Sequence, residues 1–225
     1  MDVQLKHRPS YSLAVVSLKG HEAIRVEPGA MVSHSAGMTT DTRVEGGLLG
    51  GLKRMIGGES FFMNTWQAPA QGGEVTLAPA LPGDMLVLEV SGGDFLLQSG
   101  AFVASENTLT IDSTWGGSRG FFGSGSLILL RVSGQGKVVL GCYGAIEERS
   151  LQAGETYIVD TGHIVGFDGS INFSVSKVGS WKSTLLGGEG LVCQLTGPGR
   201  VLMQTRSEEA LISWLAPRIP QHTNQ

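Results

Sequence analysis

The sequence predicts an all-β protein built from three related units that pack as one body with a terminal helix. The main observation is a short pattern that occurs three times: a β-like run, a tight Gly turn, and a Gly-rich loop containing two adjacent apolar residues. The turns centre on Gly29, Gly100 and Gly162. The second apolar residue of each loop follows its turn glycine by 20, 22 and 24 positions. Such regular spacing is typical of repeated supersecondary units.

Composition agrees with this fold class and suggests self-association. A chain of 225 residues is long enough to bury a substantial core. It contains 34 glycines, which lie between apolar β-prone runs and so indicate turns and bulges rather than linkers. Charged residues make up 16% of the chain, against about 25% in an average protein. A low charge fraction indicates that part of the surface is covered, most simply by another copy of the chain.

Charge and targeting signals exclude several functional classes. The net charge is −4 with no basic block, which argues against general nucleic-acid binding through phosphates. The N-terminal residues lack the apolar region of a secretory signal, and no run approaches the ~18 apolar residues of a membrane span. We therefore expect a cytoplasmic protein. Cys142 and Cys193 lie in apolar runs and are expected to be buried free thiols, with a disulfide or a reactive site as alternatives.

The β-prone runs can be followed along the chain. Tyr11–Leu18 and Ala23–Val26 predict a hairpin, and Gly29 after Pro28 predicts a type II turn. Further strands are predicted in the runs 61–66, 74–78 and 85–90. The later Gly-x-Gly segments 133–136 and 196–199 predict hairpins, joining strand 126–132 to 137–140 and strand 191–195 to 200–204. No helix follows either segment, so neither is interpreted as a nucleotide-binding loop.

One domain is predicted over residues 1–206, with units of about 11–78, 79–140 and 141–206. A helix is predicted over 207–217 and a tail over 218–225. Ser207 is the predicted N-cap, Glu208 and Glu209 suit the positive end of the helix, and Pro217 ends it. An apolar stripe on this helix is expected to pack on the sheet or on a neighbouring subunit. It consists of Ala210, Leu211, Trp214 and Leu215.

No pattern of catalytic residues is present. The five histidines do not have metal-ligand spacing, there is no Cys-x-x-Cys, and no Ser lies in a nucleophile elbow. His163, beside the third turn, is the best single candidate for a site, and a half-buried histidine beside a turn is the simpler interpretation. We predict no catalytic residue, no cofactor and no metal. A metal-dependent enzyme with a site formed only by folding is the remaining alternative.

The Gly-rich loops are the predicted interaction sites. The first loop, Gly46–Gly58, combines apolar residues with two adjacent cations. If the three loops share one end of the molecule, they form an apolar face for a membrane surface or another protein. The alternative is that their side chains fold down as plugs on their own barrel. The candidate contact residues are Leu48, Leu49, Lys53, Arg54, Phe121, Phe122, Leu185 and Leu186.

The segments 27–32, 47–64 and 185–199 resemble the family named altered inheritance of mitochondria protein 24, formerly domain of unknown function 124. The resemblance extends over about residues 11–217. It implies a double-stranded β-helix or sandwich-like fold similar to the trp RNA-binding attenuation protein, assembly as a homotrimer, and no established catalytic residues. Eukaryotic members are linked to mitochondrial membrane architecture. No transit peptide is visible here, so that location is not carried over.

Together these observations predict a non-enzymatic binding or scaffold protein that acts as a homotrimer, with an apolar loop face for membrane-peripheral or protein contact. A small-ligand-binding protein is the alternative, with its pocket near Gly29, Gly100 and Gly162. RNA binding is the less favoured alternative, because the basic rim that it usually needs is absent from the sequence. Base stacking in a ring-shaped site is the mode of RNA binding that the low charge does not exclude.

Overall fold

The computed structural model describes residues 1–41, 63–112, 121–122, 127–177 and 191–219. These residues are mostly β-strand, with one short C-terminal helix, so the all-β prediction is confirmed. The first strands are β1 Asp2–Lys6, β2 Leu13–Leu18, β3 Ala23–Val26, β4 Met31–His34, β5 Thr39–Asp41, β6 Asn64–Gln67 and β7 Gly73–Leu77. Next come β8 Met85–Ser91, β9 Phe95–Gln98, β10 Phe102–Glu106, β11 Leu109–Asp112, β12 Phe121–Phe122 and β13 Leu127–Gly141. The last are β14 Ile146–Leu151, β15 Thr156–Asp160, β16 Ile164–Asp168, β17 Asn172–Lys177, β18 Leu191–Thr196, β19 Gly199–Gln204 and α1 Glu208–Leu215.

One pairing pattern occurs three times, and each occurrence is called a unit below. In unit 1, β7 lies between β2 and β4, and β6 lies between β3 and β5. In unit 3, β19 lies between β14 and β16, and β18 lies between β15 and β17. In unit 2 the long β13 serves both purposes, pairing with β8 and β10 in its second half and with β9 and β11 in its first half. Each unit therefore consists of two small sheets.

Neighbouring units are joined because they share sheets. β3 of unit 1 pairs with β10 of unit 2, with Val26 opposite Ala104. β9 of unit 2 pairs with β16 of unit 3 in the same way, with Leu97 opposite Gly166. In both cases the strand before one unit's turn pairs with the strand after the next unit's turn. Small half-sheets from two units thus become one continuous sheet.

Three hydrophobic cores fill the spaces between four sheet layers. Core 1 packs β2 and β7 of unit 1 against the sheet that units 1 and 2 share. Core 2 lies between the two shared sheets. Core 3 packs the second shared sheet against β15 and β18 of unit 3. The side chains alternate in burial along short strands such as β3 and β11, as expected where a strand has one face on a core.

The starts of the three units are linked through Asp84. The Ser12 amide donates to the Gly83 carbonyl (3.0 Å), and the Asp84 amide donates to the Gly144 carbonyl (2.7 Å). The buried Asp84 carboxylate accepts bonds from Arg8 Nε (2.7 Å), Arg8 Nη2 (2.9 Å), Ser12 Oγ (3.1 Å) and the Met85 amide (2.8 Å). Burial opposes ionisation, but these hydrogen bonds outweigh it and hold the pKa of Asp84 below its usual value.

The hairpin predictions are wrong, although the turns exist. β2 pairs with β1 and β7, whereas β3 pairs with β6 and β10, so the two are not partners. β13 runs unbroken through residues 133–136, where Gly134 (φ +109°) and Gly136 (φ +152°) allow the strand to pass from one sheet to another. β18 and β19 also belong to different sheets. These segments are corners between layers rather than hairpins.

The three turns differ in detail. Gly29 has φ +89°, as a type II turn requires. Gly100 and Gly162 instead lie in short 3₁₀ turns, Ser99–Ala101 and Thr161–His163. The thiols of Cys142 and Cys193 are both free and buried, which confirms that prediction. The likeness to the trp RNA-binding attenuation protein and the domain division stay predictions.

The terminal helix begins and ends close to the predicted positions. The Ser207 hydroxyl accepts from the Ala210 amide (3.3 Å), and Pro217 follows in a 3₁₀ turn. No residue of the helix is buried: Leu211 is half-buried, and the rest of the apolar stripe is exposed in the described part of the chain. Among the described residues, no helix has the length and apolar character needed to cross a membrane.

Replacing Asp84 with Asn tests the junction between units. We expect a loss of about 2 kcal/mol in the free energy of unfolding at pH 7, because the bidentate pair with Arg8 loses its charge. Since the pKa of Asp84 is lowered, this contribution is present above its unfolded value of 3.8 and disappears as the pH falls through the folded value. The difference between parent and variant should therefore shrink in acid. Urea unfolding measures it, with Glu89→Gln at an exposed position on β8 as the control, and an unchanged midpoint at pH 7 contradicts the assignment.

Candidate functional site

A cleft of about 530 Å³ lies where the turns of units 2 and 3 meet the start of α1. The loop before β8 and the ends of β13 and β19 also line this cleft. The lining combines polar and apolar side chains. Its main members are Glu27, Gln98, Ser99, Gly100, Ile128, Cys142, Tyr143, Thr161, Gly162, Ile164, Gln204, Ser207, Glu208, Glu209, Ile212 and Ser213.

The repeat places a polar side chain at the same position beside each turn. Glu27, Gln98 and Asp160 each stand two residues before their turn glycine. Glu27 and Gln98 line the cleft. The Glu27 amide donates to the carbonyl of Val103 (2.9 Å), which attaches it to the neighbouring unit. Asp160 instead caps its own turn, because its carboxylate accepts from the Gly162 amide (2.8 Å).

Gln204, at the end of β19, holds one wall of the cleft together. Its side-chain oxygen accepts from the Tyr143 amide (2.9 Å), and its side-chain nitrogen donates to the Gly162 carbonyl (2.9 Å). The Gln204 carbonyl accepts from His163 Nδ1 (2.7 Å). The third turn, the start of unit 3 and the end of β19 are therefore connected through one residue. This network gives the cleft a preformed polar wall.

The cleft is acidic. Burial, together with the nearby carboxylate of Glu208, raises the pKa of Glu27 to about 7. Glu209 adds a third carboxyl group, and no Lys, Arg or His is among the described lining residues. Burial raises the pKa of Cys142 to about 11, and its Sγ–H donates to the Gly144 carbonyl (3.4 Å). This thiol is therefore protonated at neutral pH and is a poor nucleophile.

Most of the predicted contact residues lie outside the described residues: Leu48, Leu49, Lys53, Arg54, Leu185 and Leu186. The remaining two form β12, in which Phe121 lies opposite Ile128 and Phe122 lies opposite Leu127. Ile128 lines the cleft, so β12 pairs with the part of β13 that borders it. The shared apolar loop face stays a prediction.

His163 is half-buried beside its turn and is bonded to a backbone carbonyl, which agrees with the simpler interpretation of this residue. In the described ranges, no three His, Cys, Asp or Glu side chains are grouped so that they could hold a metal ion. Glu27, Gln98 and Gln204 were not predicted as site residues. The repeated polar position before each turn glycine was the available signal for the first two.

Comparison with known proteins places the chain among uncharacterised relatives. The family model described as mitochondrial biogenesis AIM24 matches residues 3–206. An uncharacterised protein of Streptococcus pyogenes serotype M6 is 26% identical over 224 residues, covering 95% of this chain and 89% of that protein. The crystal structure of a protein from Streptococcus pyogenes has a TM-score of 0.82 at 24% identity, covering 97% of this chain and 99% of that one. This structural likeness concerns the fold alone.

Replacing Glu27 with Gln tests the electrostatics of the cleft. The folded chain keeps the Glu27 proton up to about pH 7, whereas an ordinary glutamate releases it near 4.5. The folded state therefore binds more protons in this interval, and the stability of the parent falls as the pH rises through it. We expect the variant to match the parent at pH 4 and to exceed it at pH 8 by up to about 3 kcal/mol.

Chemical denaturation at the two pH values measures this difference. Glu74→Gln, an exposed carboxylate on β7, is the matched control and should show no such pH-dependent gain. An equal effect of both substitutions would contradict the raised pKa of Glu27.

Proposed function

This chain belongs to the mitochondrial biogenesis AIM24 family, and from the geometry of its cleft we propose that it is a non-enzymatic protein that binds a small, positively charged polar molecule. One observation carries this proposal: the described cleft lining holds three carboxyl groups and no cationic side chain. The cleft volume of about 530 Å³ also falls within the usual range of small-molecule sites.

The lining suits a molecule with one charged end and an apolar part. Glu27 and Glu208 provide the charge complement. Ile128, Ile164 and Ile212 provide apolar contacts. Because burial and the Glu208 carboxylate oppose the ionisation of Glu27, a bound cation offsets their effect and lowers the pKa of Glu27. Affinity should therefore increase with pH until Glu27 is ionised in the free protein.

The same charges disfavour an anionic ligand. A phosphate or a nucleic-acid backbone would face carboxylates without a basic partner in the described lining. This supports a cationic small molecule over RNA as the occupant of the cleft.

A scaffold function is the second candidate, and the terminal helix favours it. Ile212 (62% exposed), Trp214 (57%), Leu215 (42%) and Ile219 (56%) stand out from the body of the protein. An apolar group of this kind is typical of a contact with a partner or a lipid surface. The predicted loop contacts and the predicted homotrimer belong to this second candidate.

Native mass spectrometry of protein purified gently from its own cells is the first test. We expect the chain to carry an additional small mass that tandem dissociation releases as a cation. Calorimetric titration follows with agmatine, spermidine and choline as cationic probes, and with succinate as an anionic control. Binding of succinate alone, or the absence of both a retained cation and any cationic binding, would overturn the proposal.

Glu27→Gln should weaken the binding of whichever cationic probe binds by about tenfold at pH 8, which corresponds to about 1.4 kcal/mol. The loss should be smaller at pH 5, where Glu27 is protonated in the parent. Glu74→Gln should bind like the parent at both pH values. Equal affinity of the Glu27 variant and the parent at pH 8 would exclude Glu27 from the site.

A further inference from the structure

The repeat leaves two strands without the partners that their counterparts have. Wherever two units meet, the strand before one turn pairs with the strand after the next turn, as β3 does with β10 and β9 with β16. Within the described residues, no unit of this pattern follows β15, the strand before the third turn, and none precedes β4, the strand after the first turn. Among the described strands, β15 pairs only with β18, and β4 pairs only with β7.

Residues at equivalent positions show what β4 lacks. Val103 and Val165 stand three residues after their turn glycines, at register shifts in β10 and β16, and both are fully buried. Each packs into the core of the preceding unit, Val103 into core 1 and Val165 into core 2. Val32 occupies the same position and the same register shift in β4, yet it is 58% exposed. A preceding core is missing.

The other end of the chain shows the complementary deficit. Leu96 of β9 lies opposite Phe167 and is buried in core 3, the core of the following unit. Ile158 of β15 stands at the equivalent position, four residues before its turn glycine, and is 62% exposed. Neither β4 nor β15 contains Lys, Arg or Pro, the residues that usually protect a free sheet edge.

We infer that β15 of one chain pairs with β4 of a second copy, head to tail, and that this contact repeats the junctions within the chain. In both internal junctions, the residue three positions before one turn glycine lies opposite the residue four positions after the turn glycine of the next unit. These pairs are Val26 with Ala104 and Leu97 with Gly166. The same rule places Val159 opposite Ser33 and Ile158 opposite His34 of the neighbouring copy. It also predicts that the Asp160 amide donates a hydrogen bond to the Val32 carbonyl of the neighbouring copy, just as the Glu27 amide donates to the Val103 carbonyl within the chain.

This contact completes both incomplete ends at once. Ile158 enters core 1 of the neighbour beside His34, whose ring lies 4.9 Å from that of the buried Trp66. Val32 enters core 3 of the first copy. The contact joins the three-stranded sheet of unit 3 to the four-stranded sheet of unit 1. Because the two surfaces differ, the contact is heterologous and generates a ring when the rotation closes.

Engineered disulfides test the register. Ile158→Cys and His34→Cys place thiols on directly opposed residues, whose Cβ atoms come within disulfide range in an antiparallel pair. Under mild oxidation, an equimolar mixture of the two single variants should give a linked dimer. Each single variant alone should stay unlinked. The double variant should give circular products whose largest size counts the chains in the ring.

Matched controls distinguish the other arrangements. Pairing Ile158→Cys with Met31→Cys moves one thiol three residues along β4 and should abolish the link. A linked dimer of a single variant would indicate that like strands pair with each other. A disulfide within one chain of the double variant would indicate closure of β4 on β15 in the same molecule. Either of these results overturns the inference.

Two charge substitutions provide a second test. Val32→Asp and Ile158→Lys should each reduce the assembled protein to a monomer in analytical ultracentrifugation, because the charge would enter the neighbouring core. Ser176→Lys, an exposed position on β17 away from the junction, should leave the assembly intact. Circular dichroism and melting should show folded monomers for both charge variants. Parent-like assembly of both variants would overturn the inference.

Discussion

The pairing of the strand before one turn with the strand after the next turn is the interaction on which the rest of the structure depends. It joins half-sheets from neighbouring units into continuous sheets, and those sheets form the walls of the three cores. Without it, each unit would expose apolar residues such as Val103 and Leu96, which a small two-sheet unit cannot cover by itself. Stability is therefore shared between neighbours, as in other repeat proteins.

The same pairing positions the cleft. The turns of successive units must lie side by side, since the strands on either side of them are partners. Glu27 and Gln98 are brought together in this way, and the helix that follows β19 adds Glu208 to the rim. The cost is electrostatic, because burial and a neighbouring carboxylate both oppose the ionisation of Glu27. A site in which the ionised form of Glu27 is destabilised is suited to a cationic ligand, because the positive charge stabilises that form.

The turns could be located from the sequence, but the partners of the strands could not. Gly134 and Gly136 mark a change of direction correctly, because positive φ values require glycine there. The expectation that the flanking runs pair with each other rests on the short loop between them. In this fold the strands on either side of these turns pass to different sheets, so β2 and β3, or β18 and β19, are close in sequence without being partners. Local spacing carries no information about which distant strand completes a ladder.

The sequence by itself determined the all-β class, the threefold repetition, the buried thiols and the capped terminal helix, because each follows from local residue chemistry. It also marked the polar position before each turn glycine, though not its purpose. Only the tertiary structure decided that Glu27 and Gln98 share a cleft while Asp160 bonds to its own turn. Only the tertiary structure decided that Val103 is buried and Val32 exposed, although the repeat gives them equivalent positions. The physical reason is that burial depends on the neighbouring unit, and the units at the two ends of a linear repeat each lack one neighbour.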